Sequence, residues 1–202
     1  MAISCIHGTY SPPPEQLVIQ QFLTTGDSKR AFNTLRKLAL HEISRWVLVG
    51  GLAVEFHCRR GGHAPSIRHL NDIDFVAFAF DCIPETLARE FLFRHVHPFD
   101  PAGKTMMQLA DADTSLRIDL FRAYGAIMSR AISVDFPSGP LLVISVEDVV
   151  AGAARLLLDL DASVPVPAKH AGDYLRVWCE CLILAKTAGR ITFGLPDRFW
   201  SP

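Results

Sequence analysis

Residues 71–75 read Asn-Asp-Ile-Asp-Phe, and the chain continues Val-Ala-Phe-Ala-Phe to residue 80. A run this apolar builds core as a strand, yet Asp72 and Asp74 sit in it two positions apart. Side chains alternate along a strand, so the two carboxylates share one face and Ile73 and Phe75 share the other. Burying charge is costly unless something pairs with it. The pattern therefore asks for a sheet with one core face and one face that presents acids to a cation. Mg²⁺ suits such a pair, because it takes oxygen ligands and keeps waters and substrate phosphates in its shell.

A third acid has the same setting. Asp119 lies between Ile118 and Leu120 in the stretch Ser-Leu-Arg-Ile-Asp-Leu-Phe-Arg-Ala. If that strand lies beside 72–80, three carboxylates meet as a two-metal phosphoryl or nucleotidyl transfer site requires. Upstream, Trp46–Val49 reads as a short buried strand running into Gly50-Gly51 and then into a helix from Leu52. Glycine permits close backbone approach, and a helix N-terminus offers N–H groups to an anion. Residues 57–70 contain Arg59, Arg60, Arg68, His57, His63 and His69 and no acid, which suits a phosphate-bearing substrate. Plainer roles stay open at this point. Asp72 could cap a turn after Asn71, Asp119 could be an ion-paired edge residue, and the arginines could be solvated loop charges. A full GxGxxG loop is missing, so a dinucleotide-binding turn is not indicated.

The remaining pattern alternates helices and strands. Helices are expected from Glu15, after Pro14, and over Lys29–Ile43, with Asp27 or Ser28 as cap and Phe32, Leu35, Leu38 and Ala39 on the apolar face. Strand 72–80 is followed by an expected helix over 84–95. Residues 105–111 and 115–123 read as an antiparallel pair joined near Asp113-Thr114. A strand at 141–144 precedes a helix from Ser145, with Asp148 three residues on in a near capping box. A last long helix spans 171–189. The expected fold is α/β (α+β): a small mixed sheet on strands near 47, 74, 107, 118 and 142, with flanking N- and C-terminal helices. We divide it into a core with N-terminal helices, 1–144, and a C-terminal helical part, 145–202.

At 202 residues the chain suits one domain or one domain with a helical annex. Its formal net charge is −1, which argues against a large nonspecific nucleic-acid footprint. Cys5, Cys58, Cys82, Cys179 and Cys181 are odd in number and lack paired spacing, which reads as reduced thiols in a cytoplasmic protein. His95 and His97 have no companion ligands at zinc spacing. No secretory signal is read in the N-terminal residues, and the apolar runs are too short to span a bilayer.

The order Leu-Val-Gly-Gly-Leu-Ala, Asn-Asp-Ile-Asp-Phe, Arg-Ile-Asp-Leu-Phe resembles the nucleotidyltransferase (DNA polymerase β-like) superfamily, over roughly residues 45–180. The nearest likeness is to minimal bacterial nucleotidyltransferases of the abortive-infection, type IV toxin–antitoxin group. Arg68 before the acid pair and the Ser145-x-Glu147-Asp148 helix start fit it, and Lys169 with Asp173 partly matches a later motif. A lysine usual after the Glu-Asp pair is absent, with Ala153 in its place, and His170 stands where an acid is common. The resemblance implies a Mg²⁺-dependent enzyme that moves NMP from an NTP to a hydroxyl acceptor. Asp72, Asp74 and Asp119 would hold metal, Gly50, Gly51 and Arg68 would seat the triphosphate, and Lys169 and Asp173 would position nucleotide or acceptor. The acceptor would be a tRNA 3′ end, in a toxin with an antitoxin partner, or a small molecule of the antibiotic type. A non-catalytic binding module is the remaining reading.

Overall fold

The computed structural model describes residues 25–60, 69–80, 83–94, 106–123, 126–136 and 139–158. Helix α1 (Thr25–Leu38) leads into β1 (Trp46–Val49), α2 (Gly50–Arg60) and β2 (Asp72–Ala77). A 3₁₀ helix (Glu85–Arg89), β3 (Phe91–Arg94), β4 (Met106–Asp111) and β5 (Arg117–Arg122) follow. The short α3 (Ile127–Arg130), β6 (Ile132–Phe136), β7 (Gly139–Val143) and α4 (Val146–Leu158) complete the described order. The strands form one seven-stranded mixed sheet in the order β3-β4-β5-β2-β1-β7-β6. β2 and β5 run parallel, as do β1 and β7, and all other neighbours are antiparallel. The expected mixed sheet with flanking helices is therefore present, in a larger form.

Register assigns the two faces. Leu48 lies opposite Phe75, Ile73 opposite Ile118, Phe75 opposite Leu120 and Leu109 opposite Ile118. These residues have no exposed surface, and Trp46, packed on Phe75 at a ring-centroid distance of 5.6 Å, has none either. Ala31, Leu35 and Leu38 of α1 and Leu52, Ala53 and Phe56 of α2 belong to the same core. Each fully buried large side chain stabilises the fold by roughly 1.5–3 kcal/mol. That core fixes register, because a slip of one residue would turn Ile73 and Phe75 out and Asp72 and Asp74 in.

Several expected elements differ. The helix over 84–95 is only a 3₁₀ helix to Arg89, after which Phe91–Arg94 pairs antiparallel with Gln108–Asp111. Leu87 and Phe91 have helical spacing, but both are buried in the sheet's core, and the long-range pairing outweighs the local pattern. Strand β2 ends at Ala77, and Phe78 is 64% exposed. Strand β6 was not anticipated. Its Ile132, Val134 and Phe136 alternate in burial with exposed Ser133 and Asp135, and it forms a hairpin with β7. The helix expected from Glu15, the one over 171–189, and His63, His95 and His97 lie outside the described residues.

Helix α1 also ends earlier than expected, at Leu38, leaving Ala39 exposed. Asp27 does not cap it. Its carboxylate accepts from Arg30 Nη1 at 2.9 Å and from the Leu70 backbone N–H at 3.2 Å, and His69 Nδ1 lies 3.2 Å from it. Ser28 Oγ, the other expected cap, is buried without a hydrogen-bond partner. Arg30 in turn donates to the carbonyls of Leu70 (3.2 Å) and Thr114 (2.9 Å). Leu70 lies just before β2 and Thr114 in the β4–β5 turn, so α1 pins the start of both acid-bearing strands.

A second polar knot joins α1 to that turn. Asp111, whose side chain is wholly buried, accepts from Lys37 Nζ at 2.8 Å and from Thr34 Oγ1 at 2.7 Å. Burial pushes the Asp111 carboxyl up, but the hydrogen bonds from Lys37, Thr34, Thr114 and the Asp113 N–H outweigh it and hold its pKa below the usual carboxylate value. A depressed folded pKa gives stability that is present above the unfolded pKa and lost as pH falls through the folded one. Stability should therefore decline in acid, with a shallower decline in Asp111→Asn. Asp111→Ala should cost about 1–3 kcal/mol, because Lys37 and Thr34 lose a buried acceptor and keep only Asp113 and Thr114 as partners. Urea unfolding from pH 7 down to pH 3 measures both effects.

Candidate active site

The chain reverses through the Asp111 turn so that β5 runs parallel to β2, with Asp72 opposite Arg117 and Asp74 opposite Asp119. Partners across a parallel ladder point the same way, so Asp72, Asp74, Arg117 and Asp119 share the face opposite the apolar core. Neighbouring strands lie about 4.8 Å apart, which brings the carboxylates of Asp74 and Asp119 within reach of one cation. Gln108, opposite Asp119 on β4, completes the row. Its Nε2 donates to Asp119 Oδ1 at 2.7 Å, and both residues are buried.

On the other side of β2, Val49 pairs with Asp74, and Gly50 begins α2 immediately afterwards. Gly50 has φ +65°, a conformation L side chains rarely adopt. A Cβ on it would lie 2.0 Å from Asp74 Oδ2 and 2.7 Å from Asp74 Cγ. The glycine is therefore required twice: for backbone conformation, and because the Asp74 carboxylate already fills the space beside it. Gly51 follows in the first turn of α2, whose leading N–H groups have no partner within the helix.

Helix α4 starts at the same sheet end. Ile144 N–H donates to the Leu48 carbonyl at 2.9 Å, carrying β7 alongside β1 to the start of the helix. Ser145 caps as expected: Asp148 N–H reaches Ser145 Oγ at 3.2 Å, and Ser145 Oγ lies 2.9 Å from Asp148 Oδ2. Arg130 of α3 grips the same carboxylate, its Nε at 2.9 Å from Oδ2. Burial opposes ionisation of Asp148, but the bonds from Arg130 and Ser145 win and lower its pKa. Asp148 is thus a structural member of the helix start. His57, buried on α2, sits 2.7 Å from the Ile144 carbonyl through Nε2, and burial lowers its pKa. It ties α2 to the strand end and is not a free phosphate ligand.

Arg117 changes how the acids are read. Its Nε donates to Asp119 Oδ2 at 3.1 Å, and its Nη2 donates to Asp72 Oδ2. As they stand, no group of three His, Cys, Asp or Glu side chains among the described residues is arranged to hold a metal ion. The guanidinium lies between two of the acids. The donor set itself fits a hard divalent cation: all oxygen, in register on neighbouring strands, with Asp74 seated against a residue that admits no side chain. Asp72, Asp74 and Asp119 are the residues that could hold it.

The structure thus brings together Asp72, Asp74, Asp119 and Gly50, with Gly51 beside them. Arg68, Lys169 and Asp173 lie outside the described residues. Sequence reasoning missed Gln108, Arg117 and the Asp27–Arg30 clamp. Arg117 had one available signal, its i−2 position to Asp119 on the same strand face. A cavity of about 170 Å³ between the end of α1 and β7, lined by Leu35, Ile43, Pro140 and Leu141 among others, touches none of the acids.

No family model matches this chain, and no curated protein matches it. Among solved structures it is similar to the lincosamide antibiotic adenylyltransferase LnuA with lincomycin bound, at 16% identity over 74% of this chain and 95% of that one, TM-score 0.48. It is similar to the antibiotic-resistance factor ANT(2'')-Ia, at 16% identity over 81% of this chain and 91% of that one, TM-score 0.49. A nucleotidyltransferase-like antigenic protein from Paracoccidioides brasiliensis matches at 13% identity over 75% of this chain and 76% of that one, TM-score 0.49. At such identities the likeness assigns this chain neither substrate nor acceptor.

Proposed function

We propose that this protein is a Mg²⁺-dependent nucleotidyltransferase that moves NMP from an NTP to a hydroxyl acceptor and releases pyrophosphate. The observation that carries the reading is the register of Asp74 with Asp119 on parallel strands, with Asp72 on the same face and Gly50 closed against Asp74. Bound Mg²⁺ supplies charge neutralisation for the triphosphate and a lowered pKa for the attacking hydroxyl. Asp72 and Asp74 would hold it, and Asp119 would complete the set and help activate the acceptor hydroxyl. The acceptor oxygen bonds to the α-phosphorus as the bond to the β-phosphate bridging oxygen breaks. Gly50 and Gly51 place the first N–H groups of α2 near the acids, where a triphosphate can be seated. Arg68, Lys169 and Asp173 are proposed to add charge around nucleotide and acceptor.

The formal charge of −1 supports a small-molecule hydroxyl as acceptor, because gripping tRNA normally recruits several Lys or Arg. A tRNA 3′ end, in a toxin held by an antitoxin, is the second reading, carried by the motif resemblance. Label transfer decides between them. The protein is incubated with each α-labelled NTP, Mg²⁺ and either total RNA or a panel of polyhydroxylated small molecules, including lincosamides. Label on a small molecule is the expected result. Label on tRNA that falls steeply with salt would make the second reading correct. Label on neither, with no melting shift from any NTP and Mg²⁺, would identify a binding module.

A further inference from the structure

We propose that Arg117 is a built-in competitor of the metal: its guanidinium occupies the carboxylates until a divalent cation displaces it. The inference rests on the metal-site reading above and adds a control over that site. Arg117 engages Asp119 Oδ2 through Nε and Asp72 Oδ2 through Nη2, while Gln108 engages Asp119 Oδ1. Both oxygens of Asp119 and one of Asp72 are therefore committed to donors. With Asp119 Oδ1 held by Gln108, a cation at Asp119 meets the oxygen that Arg117 holds, and the guanidinium and a divalent cation repel each other there, so the two compete for the site.

The two donors to Asp119 differ in their freedom to move. Gln108 is buried on the central part of β4, and the Asp119 side chain is only 6% exposed. The Arg117 side chain is 46% exposed, at the first position of β5, and the Asp72 it reaches is 28% exposed. The guanidinium can therefore leave toward solvent without disturbing the core, losing two charge-assisted hydrogen bonds as it goes. Gln108 stays and keeps Asp119 aimed. The guanidinium also offsets repulsion among Asp72, Asp74 and Asp119, which holds this sheet edge together before metal arrives. Metal affinity is then reduced by the fraction of molecules in which Arg117 is docked.

Arg117→Gln and Arg117→Lys test this, with Mn²⁺ titrated calorimetrically and the metal-induced Tm shift recorded for each. Without metal, Arg117→Gln should melt lower than the native chain, because three carboxylates then face one another. With metal it should gain more, and its Mn²⁺ Kd should tighten about tenfold. Arg117→Lys, which cannot bridge two carboxylates with a planar fork, should fall between and also serves if the glutamine variant folds poorly. Mn²⁺ Kd values unchanged or weakened in both variants would overturn the competition while leaving the metal site standing. No Mn²⁺ binding by the native chain or by either variant, with NTP present, would overturn the metal site and the competition with it.

Discussion

Asp119→Asn is expected to reduce nucleotidyl transfer by at least about a thousandfold while leaving the fold intact. Removing one electrostatic stabiliser of a transition state typically slows an enzyme by about 10²–10³-fold. A carboxylate that holds the metal sustains more than one such contact, since the metal serves both hydroxyl and phosphate. The fold should survive because asparagine matches aspartate in shape, and Gln108 can still donate to its remaining carbonyl oxygen, Oδ1 in the native chain. Arg117 keeps Asp72 as a partner. A near-native Tm together with lost transfer separates a site residue from a merely structural one. Equal loss of Tm and activity would instead mean that Asp119 serves the sheet.

The second large effect is expected from Gly50→Ala. A residue at φ +65° without glycine's freedom costs about 1–3 kcal/mol. The new methyl would also stand 2.0 Å from Asp74 Oδ2, 2.7 Å from its Cγ and 2.8 Å from its Cβ. Those contacts cannot coexist, so either Asp74 leaves its rotamer or the start of α2 shifts. Both outcomes separate the carboxylate from the helix N-terminus that it must face across a triphosphate. Transfer should fall at least about a hundredfold, since displacement by about 1 Å can cost that much. Gly152→Ala in α4 is the control. Nothing lies within 4 Å of the added Cβ, and alanine in a helix interior should gain about 1 kcal/mol. Thermal melts and initial rates on the two variants resolve the contrast.

The parts of this fold legible in sequence are those whose signal is local. Asp72 and Asp74 alternate with Ile73 and Phe75, and the strand face follows from that alone. Gly50-Gly51 marks the strand-to-helix step, and Ser145 with Asp148 marks the start of α4. The β4–β5 pair was legible because its turn residues sit between two alternating runs. Strand β3 was not, because Leu87 and Phe91 repeat at helical spacing and only pairing with β4 decides the matter. Strand β6 had a readable cue in the sequence, the alternation of Ile132, Val134 and Phe136 before a stretch rich in Pro and Gly. Arg117 and Gln108 required register: their roles appear only once Arg117 stands opposite Asp72 and Gln108 opposite Asp119. Asp27 and Arg30 looked like ordinary helix-start charges, and their partners, Leu70 and Thr114, are 40 to 84 residues away.

The central claim is that these three carboxylates serve nucleotidyl transfer, and the position of the label tests it most directly. Parallel reactions with α-labelled and γ-labelled NTP, Mg²⁺ and the acceptor pools are followed in the native chain and in Asp74→Asn and Asp119→Asn. The account predicts α-label on an acceptor and γ-label released as pyrophosphate, with both lost in the two variants. γ-Label on the acceptor, or α-label transfer that persists when either carboxylate is neutralised, would contradict it.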